Sequence, residues 1–213
     1  MKKTICALAA FATLSAAPYA LAHKQGDILV RAGAATVVPN ESSDDVLGLG
    51  EFGVSSNTQL GLTVGYMLTD NISIELLAAT PFKHDVSLGN GVGDIAEVEH
   101  LPPTLMIQYY FLDSTSKFRP YVGAGLNYTT FFNEDFNGKG KGLGLSDLKL
   151  DDSWGLAANV GIDYQLKDNW FVGASVWYAD INTDVSFKAG NDRVTIDTDI
   201  DPWVFMVSAG YTF

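Results

Sequence analysis

Cysteine is almost absent from this chain; the single one is Cys6. One cysteine cannot close an internal disulfide, so packing and hydrogen bonds must hold the fold. Cationic charge is also scarce: 13 Lys and Arg stand against 25 Asp and Glu, for a net charge of −12. Nucleic-acid binding relies on clustered cations to neutralise phosphates, and this balance excludes it. Long apolar runs are missing too, apart from Ile5 to Ala17. That run is short of the roughly 20 residues a membrane-spanning helix needs, so any crossing must be built from strands. With 47% hydrophobic and 12% aromatic residues, the chain is too apolar for disorder.

What is present begins with a leader. Lys2 and Lys3 precede the apolar run, Pro18 breaks it, and Ala20-Leu-Ala22 places small residues at the positions that determine cleavage. A secretory signal peptide over residues 1–22, cleaved after Ala22, is expected, leaving one domain over 23–213. Cys6 lies at the start of the apolar run, not after it, which argues against a lipoprotein anchor.

The rest is organised by alternation. From Asp201 to Phe213, every second residue (Trp203, Phe205, Val207, Ala209, Tyr211, Phe213) is apolar or aromatic, and the intervening ones are small or mildly polar. A period of two describes a strand whose faces meet different surroundings, and aromatics at both ends suit a lipid-facing strand with interfacial girdles. Seven earlier segments alternate similarly. Ile28, Val30, Ala32 and Ala34 share a face; so do Leu60, Leu62, Val64 and Tyr66; Ile72, Ile74 and Leu76; Leu105, Ile107, Tyr109 and Phe111; and Val122, Ala124, Leu126 and Tyr128. The clearest case runs from Trp154 to Leu166, followed by Trp170 to Tyr178.

Short turns such as Thr69-Asp-Asn71 and Lys167-Asp-Asn169 alternate with long polar stretches, among them 39–57, 83–100, 133–152 and 182–201. An even strand count with alternating connections predicts an all-β fold, an eight-stranded antiparallel up-and-down transmembrane β-barrel. Both ends of the mature chain then fall on the short-turn, periplasmic side. Eight strands leave an interior wide enough only for side chains or one slender ligand, which excludes a large aqueous pore. Leu77, Trp177, Met67, Met106 and Phe171 fall on the lumen parity, among Gly, Ser, Gln and Asn. Such a lining suits an apolar solute rather than an ion; equally, these side chains could plug a barrel too thin to hold water.

Several motifs resemble the OmpW family of small outer-membrane proteins. They include Asn57-Thr-Gln-Leu-Gly-Leu-Thr63, Glu75-Leu-Leu-Ala-Ala-Thr-Pro-Phe82, His100-Leu-Pro-Pro-Thr104 and Phe118-Arg-Pro-Tyr-Val-Gly-Ala-Gly125. Asn127-Tyr-Thr-Thr-Phe-Phe132, Asp152-Ser-Trp-Gly155 and Asp201-Pro-Trp-Val-Phe-Met206 complete the set, which runs through essentially the whole mature chain. The resemblance implies a Gram-negative outer-membrane barrel with a narrow apolar lumen that passes small hydrophobic molecules. It also implies that Leu77 and Trp177 constrict that lumen. Outer-membrane lipid, lipopolysaccharide and small hydrophobic solutes are the expected partners, the barrel is expected to be a monomer, and no cofactor is implied. Some members serve as colicin receptors through variable loops, a property not carried over to this chain.

Other chemistry is weaker. Asp197-Thr-Asp-Ile-Asp201 lacks the turning glycine and later glutamate of a calcium loop and reads as an acidic rim. Gly138-Lys-Gly-Lys-Gly-Leu-Gly144 lacks the phosphate-loop ending and reads as a flexible exposed loop. His23, His84 and His100 have no partner at metal-ligand spacing. His84, Asp85 and Ser87 are the candidates for a lipid-modifying enzyme at the rim, but catalysis would need a hydrogen-bonded relay in space. The chain is therefore read as a non-enzyme, with a plugged structural or receptor barrel as the alternative to a channel.

Overall fold

The computed structural model describes residues 22–213, so the expected leader lies almost wholly outside the described residues. The strands, in order, are β1 (Ile28–Val38), β2 (Ser42–Ser43), β3 (Phe52–Val54), β4 (Asn57–Met67), β5 (Ile72–Ala79), β6 (Phe82–Leu88), β7 (Gly93–Leu101) and β8 (Thr104–Tyr110). They continue with β9 (Phe118–Phe136), helix α1 (Gly138–Gly142), β10 (Leu145–Leu150), β11 (Ser153–Gln165), β12 (Trp170–Ala179), β13 (Asn182–Ala189), β14 (Asp192–Asp199) and β15 (Trp203–Thr212).

Eight of these strands close into a ring in the order β11, β12, β15, β1, β4, β5, β8, β9, and β9 pairs back onto β11. Every pairing is antiparallel, and the seam between first and last strands runs from Leu29 opposite Thr212 to Val38 opposite Trp203. The eight-stranded barrel predicted from alternation is therefore the observed one. Closure matters because strands in hydrocarbon have no water to satisfy a free edge.

Alternation sets the two faces. Leu60, Leu62, Val64, Ile107, Leu126, Leu156, Val160 and Val207 point outward and are exposed. Aromatic pairs ring this belt near both ends: Tyr128 with Trp154 and Tyr178 with Trp203 at one, Trp170 with Tyr211 and Tyr109 with Phe111 at the other. Strand β15 is ten residues long, which spans roughly 33 Å at about 3.3 Å per residue and about 25 Å along the normal for a tilt of about 40°. That matches the apolar height of an outer membrane. On the lumen face, glycines make room for rings: a Cβ on Gly210 would stand 2.2 Å from Phe171, and one on Gly161 would stand 2.3 Å from Tyr121.

The long polar stretches differ from expectation. They form mostly strands, not irregular loops. β9 runs for 19 residues, well past the barrel rim, and pairs there with β7, which continues through β6 to β3. A second sheet orders β10, β13, β14 and β2. The physical reason is a second apolar core above the rim, where Phe52, Leu88, Ile95, Val98, Phe136, Leu150, Val185, Phe187 and Ile200 pack together. Their alternation is diluted by acidic residues on the outer faces, which made the stretches read as loops. The glycine-rich stretch expected to be flexible holds the short helix α1, capped by Asn137 and with Gly140 buried.

The belt can be tested by placing a charge in it. Val207→Arg, near the middle of β15 and 69% exposed on the outer face, should destabilise the barrel by about 2–4 kcal/mol in lipid. Thr58→Arg, outward near the rim, should cost about 1 kcal/mol or less. Reversible urea unfolding in lipid vesicles measures both.

Candidate functional site

The lumen has two unlike halves. In the half nearer the short turns, Arg31 lies between two acids and is 3% exposed. Its Nη1 donates to Glu75, and its Nη2 donates to Asp163 Oδ2 at 2.6 Å and to the Tyr110 hydroxyl at 2.8 Å. Glu75 also accepts from Thr63 at 3.0 Å and from Gln108 at 2.7 Å. The Arg31 guanidinium stands 5.1 Å from the Phe171 ring centroid and 5.8 Å from that of Tyr121, so aromatic faces cover what the carboxylates do not. Buried charges persist only when paired and hydrogen-bonded in this way.

Below this belt the start of the described chain is tucked into the mouth. Arg119 donates to the carbonyls of Ala22 at 2.6 Å, His23 at 3.0 Å and Asp70 at 2.5 Å. His23 Nε2 lies 3.1 Å from Asp163 Oδ2. Leu29, Met67, Tyr110, Tyr121 and Phe171 fill the remaining space as one cluster. This half is closed.

Above the belt the lumen turns apolar. Leu77, Met106 and Trp177 pack with Ala35, Val37, Phe82, Ala157 and Met206. From this waist three small cavities follow one another outward. The first, about 30 Å³, is lined by Leu77, Trp177, Phe82, His100 and Pro102 among others. The second, about 40 Å³, shares Val37, His100, Ile181 and Pro202 with the first and adds His84 and Phe131. The third, about 30 Å³, shares Val54, Val86, Val98, Leu150 and Ile200 with the second and reaches Phe52 and Phe136 in the outer core. Alternation on β6 and β7 aims Phe82, His84, Val98 and His100 inward to build this lining.

His84 and His100 stack face to face, with centroids 4.9 Å apart and planes at 12°. Phe82 packs against both rings, its centroid 5.5 Å from that of His100 and 6.4 Å from that of His84. Burial first, then the neighbouring His84, pushes the His100 pKa down to about 3; burial also lowers that of His84 against the pull of the Ser55 carbonyl. Both rings are neutral at ordinary pH.

The five lumen residues singled out in the sequence all point inward, but they do not form one lining. Leu77, Met106 and Trp177 belong to the waist, while Met67 and Phe171 lie below the charged belt. The rim candidates do not assemble: His84 bonds the Ser55 carbonyl, Ser87 donates to the Gly53 carbonyl at 3.3 Å, and Asp85 points out to solvent. Asp197 and Asp199 are exposed on β14, as expected of an acidic rim. The belt itself escaped the sequence reading, which weighed the apolar lumen positions and not the cations. A signal was there: Arg31 and Arg119 fall on lumen parity, as do Glu75 and Asp163.

Comparison with known proteins agrees with this geometry. The family model described as "OmpW family" matches residues 24–213. The chain is 64% identical to outer membrane protein W of Vibrio cholerae serotype O1 and 57% identical to that of Escherichia coli K12, over the full length of each. The crystal structure of the outer membrane protein OprG from Pseudomonas aeruginosa superposes with a TM-score of 0.85 at 44% identity, covering 91% of this chain and 98% of the other.

Two outcomes are expected of the lumen. Arg31→Met strips Glu75 and Asp163 of their buried cation and should cost about 3–5 kcal/mol in urea unfolding, with much of the loss restored by adding Glu75→Gln and Asp163→Asn. The outer core should weaken in acid. Above pH 6.5 the histidines are neutral folded or unfolded; below it the unfolded chain takes up a proton that buried His100 refuses. Stability therefore falls by about 1.4 kcal/mol per pH unit from about 6.5 towards 3. His100→Phe should flatten that slope in unfolding midpoints measured across the window.

Proposed function

The chain belongs to the OmpW family of the Gram-negative outer membrane, and on that premise we propose that it is a channel for passive passage of small hydrophobic molecules. The observation that carries the reading is the series of apolar cavities leading from the outer core to the waist at Leu77 and Trp177. A solute leaving water for this path gains by burying apolar surface and meets few polar groups that would need compensation. Leu77 and Trp177 narrow the path; Met106 lines the waist beside them.

An axial route to the periplasm would cross the buried belt of Arg31, Glu75 and Asp163, where an apolar solute would break charge pairs and replace nothing. We therefore infer a sideways exit above the belt. The β5–β8 ladder ends with Leu77 opposite Thr104, and pairing resumes only with Phe82 opposite His100 on β6 and β7. Between them lie Pro102 and Pro103, which have no amide hydrogen to offer the ladder. Ala78, Ala79 and Pro102, which flank this break, also line the lowest cavity.

The alternative reading, a plugged surface receptor, draws on the same closed inner half and on the acidic sheets outside the rim. Protein-dependent uptake of a fluorescent apolar solute separates the two. Uptake should rise severalfold with Leu77→Ala and with Trp177→Ala at equal surface expression. Uptake indifferent to the protein would favour the receptor. A photo-crosslinkable solute should label residues flanking Ala79 and Pro102; labelling confined to the inner mouth at His23 and Arg119 would remove the sideways exit.

A further inference from the structure

One fully buried polar atom beside the middle cavity is left without a partner. His84 is 3% exposed and lines this cavity of about 40 Å³. Its Nδ1 bonds the Ser55 carbonyl. A carbonyl can only accept, so in the neutral ring Nδ1 carries the hydrogen and Nε2 is left as a bare acceptor. His84 Nε2 is buried and has no partner among the described residues. A buried acceptor left this way is unfavourable, and a suitable donor recovers the loss.

The rest of the lining identifies the donor's carrier. Val37, Val54, Val86, Val98, Ile181 and Ile200 line the cavity beside the ring. The hydroxyl of Thr129, the other polar side chain beside the two histidines, already donates to Asn127 at 2.7 Å. A water needs two to four polar partners, and apart from the two histidines and Thr129 these walls are apolar. A hydroxyl on an apolar body needs only one acceptor, and its body is solvated by the adjoining cavities. Their small cross-section favours a slender chain over a broad ring system.

We propose that His84 is a specificity-determining residue that selects, among apolar solutes, those bearing a single hydroxyl donor: aliphatic alcohols over hydrocarbons or ethers of the same length. The proposal rests on the channel reading above and adds to it a polar handle midway along the path. The hydroxyl donates to Nε2 and the chain extends towards the waist. Since His84 lies above Leu77 and Trp177, recognition precedes the constriction.

The test uses the folded full-length barrel in lipid nanodiscs, labelled with ¹⁵N-histidine and titrated with 1-octanol or its methyl ether. Octanol should move the His84 Nε2 resonance in the direction of an accepted hydrogen bond and bind about fivefold more tightly than the ether. The ether should leave that resonance in place. His84→Phe, which keeps an aromatic ring for stacking on His100 and Phe82, should bring the ratio close to one while ether binding is retained. Equal binding of both probes by the wild-type protein, with no response at Nε2, would overturn the handle and leave the channel standing. Failure of both probes to bind or pass would overturn the channel reading as well. Should His84→Phe not fold, the wild-type comparison still decides.

Discussion

Backbone amides in hydrocarbon have no water to turn to, and this single constraint dictates most of the molecule. It forces strands into a ring, joins β1 to β15 and β9 to β11, and leaves every residue of the wall either facing lipid or facing its own interior. Once the ring exists, a period of two must separate apolar from polar along each strand. Tolerance of irregular backbone returns only where lipid is absent, or where, as beside Pro102 and Pro103, the interruption opens onto a cavity.

Within the ring, eight strands enclose too little space for bulk water, and the two halves fill it by different means. Towards the inner mouth, Arg31, Glu75 and Asp163 neutralise one another and draw in Thr63, Gln108 and Tyr110. Towards the outside, aliphatic and aromatic side chains continue the lumen into a second core that stands clear of the membrane. Solvent is excluded in both, but only the outer half offers surroundings in which an uncharged guest is preferred. The family assignment fixes the membrane and the compartment; the division of the lumen is what argues for a hydrophobic cargo.

Much of this was legible in the chain because lipid imposes so plain a pattern. Strand faces, short turns and the inward aim of Leu77 and Trp177 follow from alternation alone. Two features were not. The outer sheets hide because residues such as Lys83, Asp85, Glu97 and Glu99 alternate with Phe82, His84, Val98 and His100, so composition looks like loop while only spacing reveals strand. The charged belt hides for another reason: Glu75 and Asp163 lie 44 and 132 positions from Arg31, and only ring closure brings them together. Parity could place each on the lumen face, but no local pattern pairs them.

His23 reaches Asp163, 140 positions further along, and lies 3.4 Å from the Thr212 hydroxyl, 189 positions further along. Those partners belong to β11 and β15, far along the chain from β1. The inner mouth therefore cannot assume its observed arrangement until the final strand has been laid against the first. Contacts of such separation are slow to form and easily outpaced by local pairing. The tucked segment at His23 thus serves as a record of completed assembly: a barrel missing β15 lacks the Thr212 contact and the seam that brings β1 and β12 to a common neighbour.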